Sequence, residues 1–346
     1  MDHAHPAPQN DQALVDLLTT PSKPVLESIG AGSGDLLIVG AGGKMGPTLA
    51  LLAQRAVVAS GAVRKVIAVS RFSDPGVAAM LRSHGVETIS ADIMDRAALE
   101  ALPPAATVYF LAGAKFGTAS NPGYTWATNT ILPANIAERY RDSRIIALST
   151  GNVYPMMPIS SRGASEATAP APVGEYAQSC LGRERVLEYC SSLYGARVLL
   201  VRLNYACDLR YGVPVDVAQS VADGRPVDIS MGAFNVLWQG DANGVLLRAA
   251  HLAASPPAIL NLTGPDVIRV RDAAQLMADH MGVPRPALQG EEGATALLSD
   301  ASECVRRFGP PQVDTAALLR WTAEWVAAGR TTLGKPTHFQ VRDGRF

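Results

Sequence analysis

From Asp35 onward, short apolar runs alternate with stretches whose apolar residues recur every three or four positions. Leu36-Leu37-Ile38-Val39 is the first such run and ends in glycines. An apolar run without polar alternation fits a parallel strand buried on both faces. Residues 45–59 then keep helical spacing, with Pro47 near the first turn, where a missing N–H costs little. Further strands are expected at 66–69, 86–89, 107–111 and 144–148, with helical patterns such as 77–83 and 125–140 between them. This alternation predicts an α/β fold, a doubly wound parallel sheet of Rossmann type with helices on both faces.

The pattern is different at both ends. Residues 1–34 form an extension with one amphipathic stretch at 11–20, then Pro21, Pro24 and a Gly/Ser patch from Gly30 to Gly34, expected to pack on the main body. Past Tyr154 the regular beat breaks, and 155–173, rich in Pro, Ser and Ala, reads as a long loop of the kind that carries substrate contacts. A helix is expected at 176–193 and a strand at 197–203. After these come a loop or strand at 234–239, a helix at 241–254, a strand at 259–263, and helices at 270–281 and 315–328. The expected organisation is an extension (1–34), a dinucleotide-binding domain (35–205) and a mainly substrate-binding, small C-terminal lobe interleaved with it (206–346).

Composition narrows the partners. Lysine plus arginine (30) balances aspartate plus glutamate (31), which gives no basic face for nucleic acid. Apolar runs fall short of the roughly 20 residues that span a bilayer, so no membrane partner is expected. The first residues lack the order of a signal peptide. Cys180, Cys190, Cys207 and Cys304 show neither paired nor metal-type spacing, which points to a reducing, cytoplasmic setting and no metal. The expected partner is a small-molecule substrate.

The glycines after the first strand are spaced Gly40-x-x-Gly43-x-x-Gly46, with Lys44 and Met45 inside the turn. A strand, a glycine turn and a helix start together make a site for a pyrophosphate, because the backbone approaches closely and free N–H groups point at the anion. After the second strand comes Ser70-Arg71, where a carboxylate would select NAD by accepting from the ribose hydroxyl; Asp74 arrives too late for that role. Arginine there pairs with a 2′-phosphate, which points to NADP as cofactor, with NAD as the alternative.

In order, these residues resemble the extended short-chain dehydrogenase/reductase family, the NAD-dependent epimerases and dehydratases that act largely on nucleotide sugars; the resemblance runs from about Asp35 to about Gly282. It implies that Gly40, Gly43, Lys44, Met45, Gly46 and Arg71 bind cofactor. It implies the same for Asp92 and Ile93 after the third strand, for Ala112 and Lys115 after the fourth, and for Tyr176. Asn129 falls where the family places an asparagine in the next helix. Leu148-Ser149-Thr150-Gly151-Asn152-Val153-Tyr154 resembles the family's Ser-Ser-x-x-Val-Tyr stretch, which makes Thr150 the catalytic Ser/Thr, and Tyr176 matches the catalytic tyrosine.

The family pattern Tyr-x-x-x-Lys reads Tyr176-Ala177-Gln178-Ser179-Cys180 here. Residues four apart on a helix share a face, so the missing lysine would have stood beside the tyrosine, lowering its pKa and holding the cofactor ribose. Arg183 or Lys115 are the substitutes in reach. Otherwise Tyr176 acts only as a proton donor, or the site has left dehydrogenase chemistry. Cys180 itself is expected to be a small buried helix residue, since no histidine stands nearby to make it a nucleophile.

Arg202-Leu203-Asn204-Tyr205 places the family's asparagine one position early. Arg210 and Tyr211 fall where the family builds its substrate pocket, and either an anion contact or a surface salt bridge fits them. Trp238 is expected in the core, with a substrate ring as the alternative, and Asp241 is expected to cap a helix. The polar and aromatic run 335–346 lies where it could close over the pocket. By analogy the family also suggests a homodimer through the helix at 176–193. The function expected is an NADP(H)-dependent oxidoreductase or epimerase on a polar, sugar-like substrate. Its rival is a non-catalytic dinucleotide-binding regulatory or scaffold protein.

Overall fold

A computed structural model describes residues 6–115 and 120–345. Among them, seven strands form one sheet: β1 Leu36–Val39, β2 Val66–Ser70, β3 Glu87–Ser90, β4 Thr107–Phe110, β5 Arg144–Thr150, β6 Arg197–Leu203 and β7 Ala258–Leu262. Their spatial order is β7-β6-β5-β4-β1-β2-β3, and every pairing is parallel. The direction of winding reverses between β1 and β4. That opens a crevice at the carboxyl ends of the strands, where ligands bind in open α/β sheets.

Side chains that alternate along a strand point to opposite faces, and both faces are buried here. Leu36 and Ile38 of β1 join a core with Tyr109, Ile146 and Leu199, covered by Leu49 and Ala53 of helix 46–60 and by Val25 and Ile29 of the extension. Leu37 and Val39 join a second core with Val108, Phe110 and Ile145, covered by Ile136 and Leu187. The uninterrupted apolar run is the direct consequence of this double burial. β3 lies at the edge and is correspondingly more exposed and polar.

The helices, in chain order, begin with α1 Asp11–Thr19, α2 Lys23–Ala31, α3 Gly46–Ser60, α4 Pro75–Ser83 and α5 Arg96–Glu100. α6 is continuous over 122–139, with a wider π-type turn at Ala127–Ile131. Then follow α7 Gly174–Tyr194, α8 Val213–Ala222, α9 Gln239–Arg248, α10 Val270–Met281, α11 Ser302–Phe308 and α12 Thr315–Ala327. A third apolar core gathers α8, α10 and α12 around Phe234, Trp238, Trp321 and Trp325, and Leu14 and Leu18 of α1 reach into it. The extension therefore packs on the main body with α2 on the sheet layer and α1 on the C-terminal lobe, tied further by the Arg55–Asp16 ion pair at 2.7 Å.

Several elements depart from the sequence expectations. α2 and α8 were not expected from the sequence; they carry Pro24 and Pro214 in their first turns, where proline is tolerated. The helix expected at 241–254 is α9 followed by a tighter turn at Ala249–Leu252. Asp241 does not cap it; its carboxylate accepts from the Val313 N–H instead. Trp238 is buried, edge-to-face with Trp321 at 5.9 Å, and is a core residue. Residues 1–5 and Phe346 lie outside the described residues, so the leading and final positions weighed in the sequence carry no structural statement.

Candidate functional site

The glycine turn sits at the carboxyl end of β1. Gly40 takes a left-handed φ of +86°, and a Cβ there would stand 2.7 Å from the Ala112 nitrogen, so only glycine allows β1 and β4 to approach this closely. The Gly43 N–H donates to the Gly40 carbonyl at 3.1 Å, and any side chain at Gly46 would collide with Ala41. α3 starts without a side-chain cap and with Pro47 in its first turn, leaving its first N–H groups facing the turn. A cradle that any Cβ would fill, at an uncapped helix start, fits the pyrophosphate of a dinucleotide. Met45 turns its side chain into the core, so only its backbone is offered to the crevice.

The other expected residues line the same edge of the sheet. Arg71 is exposed beyond β2, beside Phe72, which is buried at φ +44° near Gly42. Asp74 caps α4 through the Gly76 N–H at 2.8 Å, leaving no carboxylate at the end of β2 itself. Asp92 is exposed after β3 and folds its carboxylate back on the Met94 N–H, while Ile93 is buried beneath it. Asn129, in the π turn of α6, holds the β4 loop: it accepts from the Ala114 N–H and donates to the Ala114 carbonyl and the Ser179 hydroxyl. The π turn lets one side chain face both the loop and α7.

Thr150 ends β5 and is buried; its hydroxyl donates to Asn152 at 3.0 Å. α7 brings the Tyr176 phenol into hydrogen-bonding contact with Thr150 and Cys180. The expected pair, 26 positions apart in sequence, is thus assembled. Burial pushes the Tyr176 phenol far above its ordinary value, and Cys180 adds to that, while Thr150 and Arg183 oppose it. The tyrosine is therefore a neutral hydroxyl at physiological pH: it carries a proton to give, though burial makes it a weaker acid, and it is not a base there. Cys180 is buried, and burial pushes its thiol up as well, so it is no thiolate nucleophile.

Arg183 does not take the lysine's place. Its guanidinium donates to the Leu148 carbonyl and to Asn129, each at 2.6 Å, and lies over the Phe110 ring. It is committed to joining β5, α6 and α7. Next to it stands a buried ion pair that the sequence reading missed. Arg202 binds Glu184 through two bonds, at 2.6 and 3.0 Å, and Ser149 donates to the same carboxylate at 2.5 Å. The signal was present, because Tyr176, Cys180, Arg183 and Glu184 share the inward face of α7, where a charge needs a partner.

The opposite wall of the crevice carries two lysines. Lys44 leaves the glycine turn and crosses to the segment after β6, donating to the Ala206 carbonyl at 2.6 Å with its ammonium 4.9 Å from the Tyr211 ring centre. Burial holds its pKa below the usual lysine range, against the pull of Asp208 and Cys207. Burial likewise lowers Lys115, Lys44 lowers it further, and Cys207, Asp216 and Cys180 act in the other direction. Tyr211 is pushed up to about 12 by burial, with Asp216 and Cys207 adding. Arg210 pairs with Asp208 at 2.9 Å and is not open to an anion. Asn204 is buried and donates to Asn235 and to the Leu297 carbonyl, a structural role in the lobe.

The C-terminal segment crosses the lobe. The Leu333 N–H binds the Arg210 carbonyl, Thr337 donates to Asp216 through N–H and hydroxyl, and Phe339 packs on Phe234. Arg342 reaches Thr295, and Gly344 meets the backbone of Val173 and Gly174 at the start of α7. His338, between two of these anchors, has a left-handed φ of +56°. Among the described residues no group of three His, Cys, Asp or Glu side chains could hold a metal ion, and no helix is long and apolar enough to cross a membrane.

The fold has many counterparts among solved structures. A UDP-galactose 4-epimerase superposes with a TM-score of 0.66 at 21% identity, covering 85% of this chain and 99% of that one. UDP-glucuronic acid 4-epimerase from Bacillus cereus, solved with NAD and a fluorinated UDP-sugar, gives 0.69 at 16% identity over 85% and 99%. A dTDP-glucose 4,6-dehydratase from Streptomyces venezuelae, solved with NAD bound, gives 0.69 at 18% identity over 85% and 97%. No curated protein sequence matches. At these identities the likeness is one of fold. The sequence itself matches the family model described as "NAD dependent epimerase/dehydratase family" over residues 36–206, from β1 to just past β6. Residues 36–206 thus carry the sequence pattern of the NAD-dependent epimerase/dehydratase family.

Proposed function

We propose that this protein is an NADP(H)-dependent oxidoreductase or epimerase acting on a polar, sugar-like substrate. The observation that carries the proposal is the contact between Tyr176 and Thr150 at the crevice that the Gly40–Gly46 turn opens. When bound, a nicotinamide cofactor supplies the hydride chemistry. Gly40, Gly43 and Gly46, with the backbone of Lys44 and Met45, hold its pyrophosphate; Asp92 and Ile93 flank the adenine; Ala112 and Lys115 line the nicotinamide side. Thr150 hydrogen-bonds the reacting oxygen, and Tyr176, kept neutral by burial, donates its proton, which suits a carbonyl going to an alcohol and favours the oxidoreductase over the epimerase, whose oxidising half needs the phenol to take a proton. The choice of NADP rests on Arg71 standing exposed where the end of β2 offers no carboxylate.

The sugar-like substrate draws support from the likeness of fold to enzymes solved with nucleotide sugars. The exposed apolar side chains Tyr124, Ile131, Tyr189 and Leu193 on α6 and α7 support a homodimer joined through this face, since a two-fold contact matches one patch with itself. Four buried, unpaired cysteines fit a cytoplasmic setting. Cys180 beside Tyr176 favours the second reading, a dinucleotide-binding regulatory protein without turnover. A panel of nucleotide sugars and their keto forms, followed by NADPH absorbance with wild type and Tyr176→Phe, separates the two. Turnover lost in the variant supports the enzyme. Cofactor binding with no turnover across the panel supports the regulator.

A further inference from the structure

The proposed function leaves open what carries the positive charge beside the nicotinamide ribose. The inward face of α7 offers none: Cys180 is neutral and buried, Arg183 is committed to Leu148 and Asn129, and Arg202 to Glu184. The facing wall offers two cations. Lys44 stands on the glycine turn itself, its ammonium fixed by the Ala206 carbonyl and the Tyr211 ring. Lys115 follows Ala114, whose N–H and carbonyl are both pinned by Asn129, so the backbone that presents the lysine is held in place. The two ammoniums lie within electrostatic reach of each other, and Lys115 is within reach of Cys180.

We propose that Lys44 and Lys115 together replace the lysine absent at position 180, gripping the cofactor from the glycine-turn side of the crevice instead of from the catalytic helix. This rests on the cofactor assignment above. Two cations at the mouth of the glycine cradle, one of them fixed 2.6 Å from the Ala206 carbonyl, make a site suited to a polyanion that enters between them. A dinucleotide brings a pyrophosphate against the turn and ribose hydroxyls beyond it. The Ala206 carbonyl would pre-order Lys44, lowering the entropy lost on binding.

The test is calorimetric titration with NADPH of wild type, Lys44→Met, Lys115→Met, Cys180→Lys and Lys115→Met with Cys180→Lys, with thermal melts showing that each is folded. Each single methionine variant is expected to bind at least tenfold more weakly, and Cys180→Lys to recover most of the loss in the Lys115→Met background. Because a lysine at a buried cysteine position can disturb packing, acetic anhydride labelling of wild type supplies a second readout: NADPH should protect Lys44 and Lys115 and leave exposed Lys23 unprotected. Methionine variants that bind within twofold of wild type, or the absence of protection at both lysines, would overturn the inference while the cofactor assignment stands. Wild type that binds neither NADPH nor NADH overturns both.

Discussion

On the α7 wall of the crevice, each inward charge has a fixed structural partner: Arg183 has Leu148 and Asn129, and Glu184 has Arg202 and Ser149. On the glycine-turn wall, Lys44 and Lys115 are half-buried, and the charge of Lys44 bears on Lys115. The first wall is a rigid frame around the hydroxyls of Thr150 and Tyr176. The second is built like a receptor for an anion. Hydrogen-bonded buried charges stabilise position, whereas crowded like charges stabilise whatever neutralises them. Loss of a lysine on one wall is therefore compatible with a working site, provided that the proton donor and the cofactor grip are separable.

The largest expected effect comes from removing the proposed proton donor. Tyr176→Phe should lower kcat by about two to four orders of magnitude, the usual range for a positioned proton donor, with NADPH affinity nearly unchanged. Steady-state rates alongside a binding titration check both halves. Next comes the frame itself. Glu184→Leu strands Arg202 in the core, and a broken buried pair costs about 3–5 kcal/mol, read as a shift in the urea midpoint. A smaller effect is expected on the receptor wall: Arg71→Ala should weaken NADPH by about tenfold, the order of one charge-assisted contact, and leave NADH unchanged. Equal losses for both cofactors would mean that Arg71 does not read the phosphate.

The smallest effect is a flat pH profile. The Tyr176 phenol is raised, so it stays protonated below its shifted pKa, and that point lies above the ordinary tyrosine range. In the reducing direction kcat should therefore hold steady from pH 6 to about 9, short of the ordinary tyrosine pKa of about 10. A fall near neutrality would show a tyrosine lowered by a nearby cation, as the lysine of the family pattern would have done.

The sheet and the glycine turn were legible because their signals are local and repeat: β1 is buried on both faces and so is uniformly apolar, and Gly40 must be glycine for a backbone reason. That Thr150 and Tyr176 lie side by side was expected from the family motif, and their catalytic role is the proposal made above. What stayed hidden depends on long-range pairing. Nothing local says that Glu184 meets Arg202, that Lys44 crosses to Ala206, or that Thr337 binds Asp216 more than a hundred residues away. α2 and α8 were not foreseen either; each is short and starts with a proline, Pro24 or Pro214, in its first turn.

The central claim is that the crevice between β1 and β4 holds a nicotinamide dinucleotide. A calorimetric titration of the wild-type protein with NADPH and NADH tests it most directly. Saturable binding at one site per chain, tighter for NADPH, is the predicted result; no heat and no saturation with either cofactor would contradict it.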